Sequence, residues 1–179
     1  SRFDLNLNQW TLESWILLDL NSSSTGWIPI IARSNGSGNT PKWAFGYSNN
    51  YNQSSAGTNL AFHINSGSGG PFINTGNCPI PANTWTHVAL VKDGSTYTFY
   101  INGSFCGTVT DNTPFSSPTG PAVLGQEGGQ FFTNMQLDEV MIWHSARNAG
   151  EVQTDMGGYA NCNQTGLAAF YKFDQGVGG

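Results

Sequence analysis

The chain has 179 residues, of which 38% are hydrophobic, 13% are aromatic and only 9% are charged, with a net charge of −5. This length fits one domain with one core, and the aromatic content excludes a disordered chain. Six Lys and Arg residues supply no cation cluster, so we expect no nucleic-acid partner. No apolar run approaches the roughly 20 residues of a membrane span, which argues against membrane insertion. We predict one domain over residues 1–179, as one module of a larger protein.

Short runs that alternate apolar and polar residues recur along the chain, each bounded by Gly, Asn, Ser or Pro. Evenly spaced short runs of this kind are typical of an all-β sandwich built from two sheets. In chain order the predicted strands are 11–18, 28–33, 42–47, 60–64, 85–91, 96–101, 104–110, 122–124, 137–143 and 167–173.

The clearest local signal is a β-hairpin at Asp93-Gly94, because Asp-Gly between alternating strands favours a two-residue turn. Taking these two residues as the loop places Leu90 opposite Tyr97 and Val88 opposite Phe99. These four side chains would then share the core face of the hairpin.

The opposite face of the same hairpin is predicted to carry Trp85, His87 and Tyr100, a mixed polar and aromatic surface. If this face were open, His87 and Tyr100 could stack on a sugar and hydrogen-bond to it; a cross-strand pair covered by loops is the alternative. A second turn at Asn102-Gly103 would place Cys106 on the apolar face, which favours a core residue over a reactive thiol.

One short helix is predicted near residues 149–156. Asn148 can cap its N-terminus, and Glu151 at the third helical position can complete a capping box. The pair Gly157-Gly158 then ends the helix.

The chain has three cysteines without a CxxC pair, a pattern that does not predict a zinc site. We expect one disulfide. A bridge from Cys78 to Cys106 and a bridge that uses Cys162 both remain open. Low charge and abundant Asn, Ser and Thr favour a secreted or cell-surface setting.

Several segments together resemble a known family. They read WTLESW at 10–15, WTHVALVKDG at 85–94, YTFYING at 97–103, LDEVMIW at 137–143 and LAAFYKFD at 167–174. In this order they are similar to LamG-like jelly-roll domains, which belong with pentraxins in the concanavalin A-like lectin/glucanase superfamily. The resemblance implies an antiparallel jelly-roll sandwich of two sheets. It does not fix the function, because this sandwich hosts lectins, adhesion modules, receptor domains and glycanases.

Catalysis by a glycanase needs two carboxylates that face one cleft, about 5 to 9 Å apart. Asp138 and Glu139 are adjacent in the sequence, so a regular strand would point them to opposite faces. We therefore expect that the chain is not an enzyme, and we keep a glycan-cleaving enzyme as the less favoured alternative.

Sugar sites combine aromatic rings, which stack on C–H faces of the sugar, with amides that bind its hydroxyls. The predicted ligand-binding residues are Trp43, Asn50, Tyr51, Asn52, His87 and Tyr100. We expect a glycan-binding or adhesion module whose partner is a carbohydrate or a cell-surface protein. A structural or protein-binding spacer is the alternative.

The segment LGQE at 124–127 looks like the pentraxin segment that helps to hold calcium. Glu127 matches the pentraxin glutamate, whereas Gly129 stands where an aspartate would be, so one charge is missing. We therefore do not expect the two-ion site of pentraxins. One reading is a single calcium ion held by Glu127, by the Gln126 or Asn39 side chain and by carbonyls of residues 34–40. The alternative is a solvated Glu127 on a glycine-rich loop.

Overall fold

The computed structural model describes residues 2–18, 26–49, 58–114, 117–132, 134–158 and 163–174. These residues form strands β1 Gln9–Leu18, β2 Gly26–Ser34, β3 Lys42–Asn49, β4 Thr58–Asn65, β5 Phe72–Ile73, β6 Thr86–Asp93, β7 Thr96–Ile101, β8 Ser104–Thr110, β9 Ala122–Leu124, β10 Met135–Trp143 and β11 Leu167–Tyr171, and helix α1 Ala149–Met156. None of the helical residues among them makes a segment long and apolar enough to cross a membrane.

The strands form two antiparallel sheets, which confirms the predicted all-β jelly-roll sandwich. The six-stranded sheet has the order β11-β10-β1-β6-β7-β8, and the five-stranded sheet has the order β5-β4-β3-β2-β9. Strands β7, β8 and β9 match their predicted bounds. Strand β5 was not predicted, because two residues are too few to show an alternating pattern.

The main core lies between the sheets and takes alternate residues from the strands of both. From β3 it receives Trp43, Phe45 and Tyr47, each at most 1% exposed. The outer face of the five-stranded sheet has a smaller cluster of its own, in which the Trp27 ring lies over small residues such as Ala44 and Ala61. Both faces of this sheet therefore carry packed side chains.

The hairpin between β6 and β7 forms as predicted but with a register shifted by two residues. Leu90 pairs with Phe99 and Val88 pairs with Ile101. The loop is Gly94-Ser95, in which only the glycine needs a positive φ, of 60°, as in a type II′ turn. A shift of two residues keeps every side chain on its predicted face, so Val88 and Leu90 still lie in the core.

Helix α1 confirms the predicted boundaries and cap. The Asn148 side chain accepts hydrogen bonds from the Gly150 and Glu151 backbone N–H groups, and the Glu151 carboxylate accepts one from the Asn148 N–H. The helix covers the outer face of the six-stranded sheet, where its Val152 packs with Ala89 and Tyr100.

A disulfide joins Cys78 to Cys106, with a Cα–Cα distance of 5.7 Å. Cys78 lies in the segment between β5 and β6, where its N–H donates to Asn59 Oδ1 and its carbonyl accepts from the Leu60 N–H. Cys106 belongs to β8, an edge strand of the other sheet. The bridge therefore links the two sheets; Cys162 lies outside the described residues.

A β-bulge interrupts β10 where it pairs with β1, and it corrects the expectation for the two adjacent acids. Trp15 pairs with Asp138 and Glu13 pairs with Met141, so the single residue Ser14 of β1 lies opposite two residues of β10. Glu139 has a φ of +47° and occupies the bulge. Leu137 and Val140 both pack on the core, so Asp138 and Glu139 between them line one cleft on the outer face of the sheet.

Candidate functional site

Glu127 lies at the start of a tight turn that follows β9. Its N–H donates to the Gln130 carbonyl, and the Gln130 N–H donates to the Glu127 carbonyl. The two residues between them, Gly128 and Gly129, have φ values of +62° and +77°, as in a type I′ turn. A side chain at Gly128 would also collide with the Gly36 carbonyl oxygen, since a Cβ there would lie 2.5 Å from it.

The turn directs the Glu127 carboxylate onto the outer face of the five-stranded sheet, where three donors meet it. Lys42 Nζ lies 3.2 Å from Oε1. His63 Nδ1 lies 3.1 Å from the same oxygen, and Trp27 Nε1 donates to Oε2. Lys42 and His63 share this face because β3 and β4 pair Ala44 with His63, and Lys42 lies two residues from Ala44 on the same strand. Glu127 is only 2% exposed.

Burial raises the pKa of Glu127, but its neighbours reverse that effect. The hydrogen bond and the charge of His63, the charge of Lys42 and the Trp27 hydrogen bond together hold the pKa below the ordinary value. Glu127 is therefore a buried carboxylate that is neutralised by its partners. It is not solvated on its loop.

A cavity of about 270 Å³ opens beside this cluster, and we call it the Glu127 cleft. Its aromatic walls are Trp27, Phe72 and Phe131, and the Phe72 ring stacks on His63 at a centroid distance of 4.2 Å. Its polar lining includes Lys42, His63, Glu127, Asn39, Asn65 and Gln130. The Asn65 amide donates to Asn39 Oδ1 at 3.3 Å, so these two amides are connected.

The structure brings Glu127 and Asn39 together but separates the other predicted site residues from them. Gln126 lines a different cavity, beside Asn35 and Gly128. Residues 50–52, with the predicted Asn50, Tyr51 and Asn52, lie outside the described residues. Trp43 is in the core between the sheets and is 0% exposed, so its ring has no surface to offer a ligand.

His87 and Tyr100 are on the predicted face, but that face is covered by helix α1 and the segment before it. His87 is 0% exposed, and burial lowers its pKa to about 4. Its Nε2 lies 3.3 Å from Oε2 of the buried Glu13. Tyr100 packs against Val152 of the helix. Both residues therefore match the alternative prediction, in which this cross-strand surface is covered.

The donors around Glu127 do not fit a calcium ion. Calcium binds six to eight oxygen ligands, whereas the Glu127 oxygens face the Lys42 ammonium, the His63 ring and the Trp27 N–H. An ammonium group at 3.2 Å would repel the ion. No group of three or more His, Cys, Asp or Glu side chains suited to a metal occurs in the described ranges.

Sequence reasoning missed Lys42, His63 and Trp27 as partners of Glu127. Lys42 and His63 do carry a weak signal, since each is a polar residue one position away from a core residue in a largely apolar strand. Trp27 carries none, because it stands in the apolar run of β2. His63 and Trp27 lie 64 and 100 residues from Glu127 in the sequence.

The family model described as the concanavalin A-like lectin/glucanases superfamily matches residues 1–153. No curated protein sequence matches the chain significantly.

Among solved structures, the fold is similar to a Bacteroides ovatus protein to which carbohydrate binding has been ascribed, with a TM-score of 0.69 and 20% identity over 95% of this chain and 46% of that one. It is also similar to a pentraxin of Limulus polyphemus, with a TM-score of 0.56 and 22% identity over 89% and 72% of the two chains. Domain 4 of an extracellular arabinanase from Geobacillus stearothermophilus, solved with arabinotriose, gives a TM-score of 0.60 and 19% identity over 83% and 66%. At these identities the similarities show the fold alone, and this chain spans less than half of the Bacteroides protein.

Proposed function

We propose that this chain, which belongs to the concanavalin A-like lectin/glucanase superfamily, is a carbohydrate-binding module. Its ligand would occupy the Glu127 cleft. One observation carries the proposal. The cleft joins half-buried rings, Phe72 and Phe131, to three amide side chains, those of Asn39, Asn65 and Gln130. Rings of this kind can stack on a sugar, while amides bind its hydroxyls.

The buried cluster gives this cleft a rigid and electrically balanced floor. Lys42 and Glu127 neutralise each other, and the His63 ring is held between Glu127 and Phe72. A fixed floor reduces the entropy that binding must otherwise remove. The balanced charges favour a neutral sugar over an acidic one.

For the Glu127 cleft the proposed role is binding without catalysis. Asp138 and Glu139 line another cleft together, so the expectation of opposite faces no longer speaks against a glycanase there. Hydrolysis of a glycosidic bond uses two carboxyl groups that flank the bond, and Glu127 is the single acid among the described residues that line the cleft. Its oxygens already accept from Trp27 and face Lys42. It therefore has neither the raised pKa of a general acid nor a free face for attack.

We further propose that the module acts outside the cell, as part of a secreted or surface protein in adhesion or substrate targeting. The Cys78–Cys106 disulfide supports this proposal, because disulfides persist mainly in oxidising compartments. Extraction of the native protein with thiols blocked, followed by mass analysis, tests it. Two cysteines protected from alkylation support the proposal, and three alkylated cysteines contradict it.

The test of binding is a glycan array, run first with calcium and then with chelator, followed by calorimetric titration of the strongest ligand. We expect Gln130→Ala to weaken binding about tenfold, the effect of one lost hydrogen bond. Gln136→Ala is the matched control, since Gln136 is an exposed glutamine on the other sheet. An array without ligands, or equal affinities of the two variants, would contradict the proposal and favour a protein-binding spacer.

A further inference from the structure

A second cleft, of about 380 Å³, lies on the outer face of the six-stranded sheet. We call it the Trp85 cleft. Trp15, Trp85, Asp138 and Glu139 line it together with the end of helix α1 at Met156. It is on the opposite side of the sandwich from the Glu127 cleft, and the two clefts share no lining residue.

The two tryptophans give this cleft an aromatic wall. Trp85 is 41% exposed, which is unusual for the largest side chain in a protein whose Trp10, Trp43 and Trp143 are fully buried. Trp15 is half-buried, and its Nε1 donates to the Met156 carbonyl at 3.2 Å. The ring of Trp15 is therefore held in place before any ligand arrives.

The bulge in β10 supplies the polar side of the cleft, since it turns two consecutive carboxyl groups toward the same space. Asp138 Oδ1 accepts the Glu139 N–H at 2.8 Å, which fixes its orientation. Oε2 of Glu139 is buried and has no hydrogen-bond partner within the described part of the chain. A buried acceptor without a partner costs free energy, and a rotation of the side chain toward the cleft would let a ligand hydroxyl supply the missing hydrogen bond.

Burial and the charges of Asp138 and Asp174 raise the pKa of Glu139, and the charge of Lys172 opposes that rise. A carboxylate can accept hydrogen bonds from the hydroxyl groups of a sugar. The carboxylates of Asp138 and Glu139 would repel an acidic sugar.

We propose that the Trp85 cleft is a second carbohydrate site, which takes a neutral oligosaccharide by stacking one sugar ring on Trp85 and binding its hydroxyls with Asp138 and Glu139. The site does not depend on the Glu127 cleft. With one site on each outer face, the module could bind two sugar chains at once.

The experiment is calorimetric titration of the unmodified chain with arabinotriose, xylotriose and cellotriose in turn. We expect at least one of these sugars to bind, and Trp85→Ala to weaken that binding roughly tenfold, as the loss of a tryptophan anchor commonly does. Phe105→Ala is the matched control, because Phe105 is a 64% exposed ring on the same sheet outside the cleft. Glu139→Gln, which keeps the shape of the side chain, should weaken binding several-fold.

Thermal melts of each variant establish that it is folded, and Glu139→Gln still tests the site if Trp85→Ala does not fold. Binding that Gln130→Ala abolishes and Trp85→Ala leaves intact would overturn this proposal while supporting the Glu127 cleft. The reverse pattern would support the Trp85 cleft alone. No binding of any of the three sugars would overturn it, and so would Trp85-dependent binding of tetramethylammonium without binding of sugar.

Discussion

Glu127→Gln removes the negative charge that faces Lys42 and His63 while it keeps the size of the side chain. Lys42 and Glu127 have side chains that are only 5% and 1% exposed, so water cannot replace the lost charge without local opening. Breaking a buried ion pair by removing one partner costs about 3–5 kcal/mol. The glutamine can still accept from Trp27 Nε1, so we expect a loss near 3 kcal/mol.

For a chain of this size, that loss corresponds to a fall in Tm of about 6–12 °C. Urea unfolding at pH 7, followed by tryptophan fluorescence, measures the free energy directly. Asp174→Asn is the matched control, since this acid is exposed, and its effect should stay within about 0.5 kcal/mol. Equal stabilities of the two variants would refute the view that Glu127 is held by its cations.

The pH dependence gives a second measure of the same cluster. The pKa of Glu127 is lowered in the folded chain from the ordinary value of 4.5. Its contribution to the free energy of unfolding is therefore fully present above pH 4.5 and is lost as the pH falls through the lowered pKa. The stability difference between the unmodified chain and Glu127→Gln should shrink in that acid range. A difference that stays constant down to the acid transition would contradict this linkage.

Three further expectations concern the fold and the metal. Val88→Ala, in the core, should lower the free energy of unfolding by roughly 1–3 kcal/mol, whereas Thr98→Ala on the opposite face should lower it by less than about 0.5 kcal/mol. Equal losses in urea titrations would contradict the assignment of Val88 to the core face of the hairpin. Cys78→Ala should lower the stability by about 3.5 kcal/mol, the value for the loop closed with Cys106, and a Tm equal to that of the unmodified chain would show that the bridge does not form in solution. Chelator should leave the Tm unchanged, because the donors at Glu127 do not suit calcium; a fall in Tm that Glu127→Gln abolishes would restore the calcium prediction.

Local sequence signals predicted the features that depend on neighbouring residues. The helix cap at Asn148 and the turn at Asn102-Gly103 follow directly from the conformations that these residues favour. The register of the Gly94 turn was wrong by two residues, because Asp-Gly and Gly-Ser both offer an acceptable two-residue loop there. The alternation of the strand still gave the correct faces.

Features that depend on distant segments could not be predicted. Strict alternation placed Asp138 and Glu139 on opposite faces, and only the pairing with β1 shows the bulge that brings them together. Alternation also gave the correct side for His87, but it does not report that a helix from residues 149–156 covers that side. The Glu127 cluster likewise needs residues from β2, β3 and β4 to meet one turn.

The disulfide between Cys78 and Cys106 restrains one edge of the sandwich more than the other. It closes the edge where β8 lies against the segment after β5, so closely that a side chain at Gly107 would collide with Thr75. Three cysteines allow no second bridge within the chain, and the opposite edges are the short strands β9 and β11. Local opening should therefore begin at β9 and β11, and amide hydrogens there should exchange with solvent before those near Cys106. The Glu127 turn follows β9 directly and so lies beside the edge that opens first, whereas Phe72 on the other side of the proposed sugar site belongs to β5, at the edge that the disulfide closes.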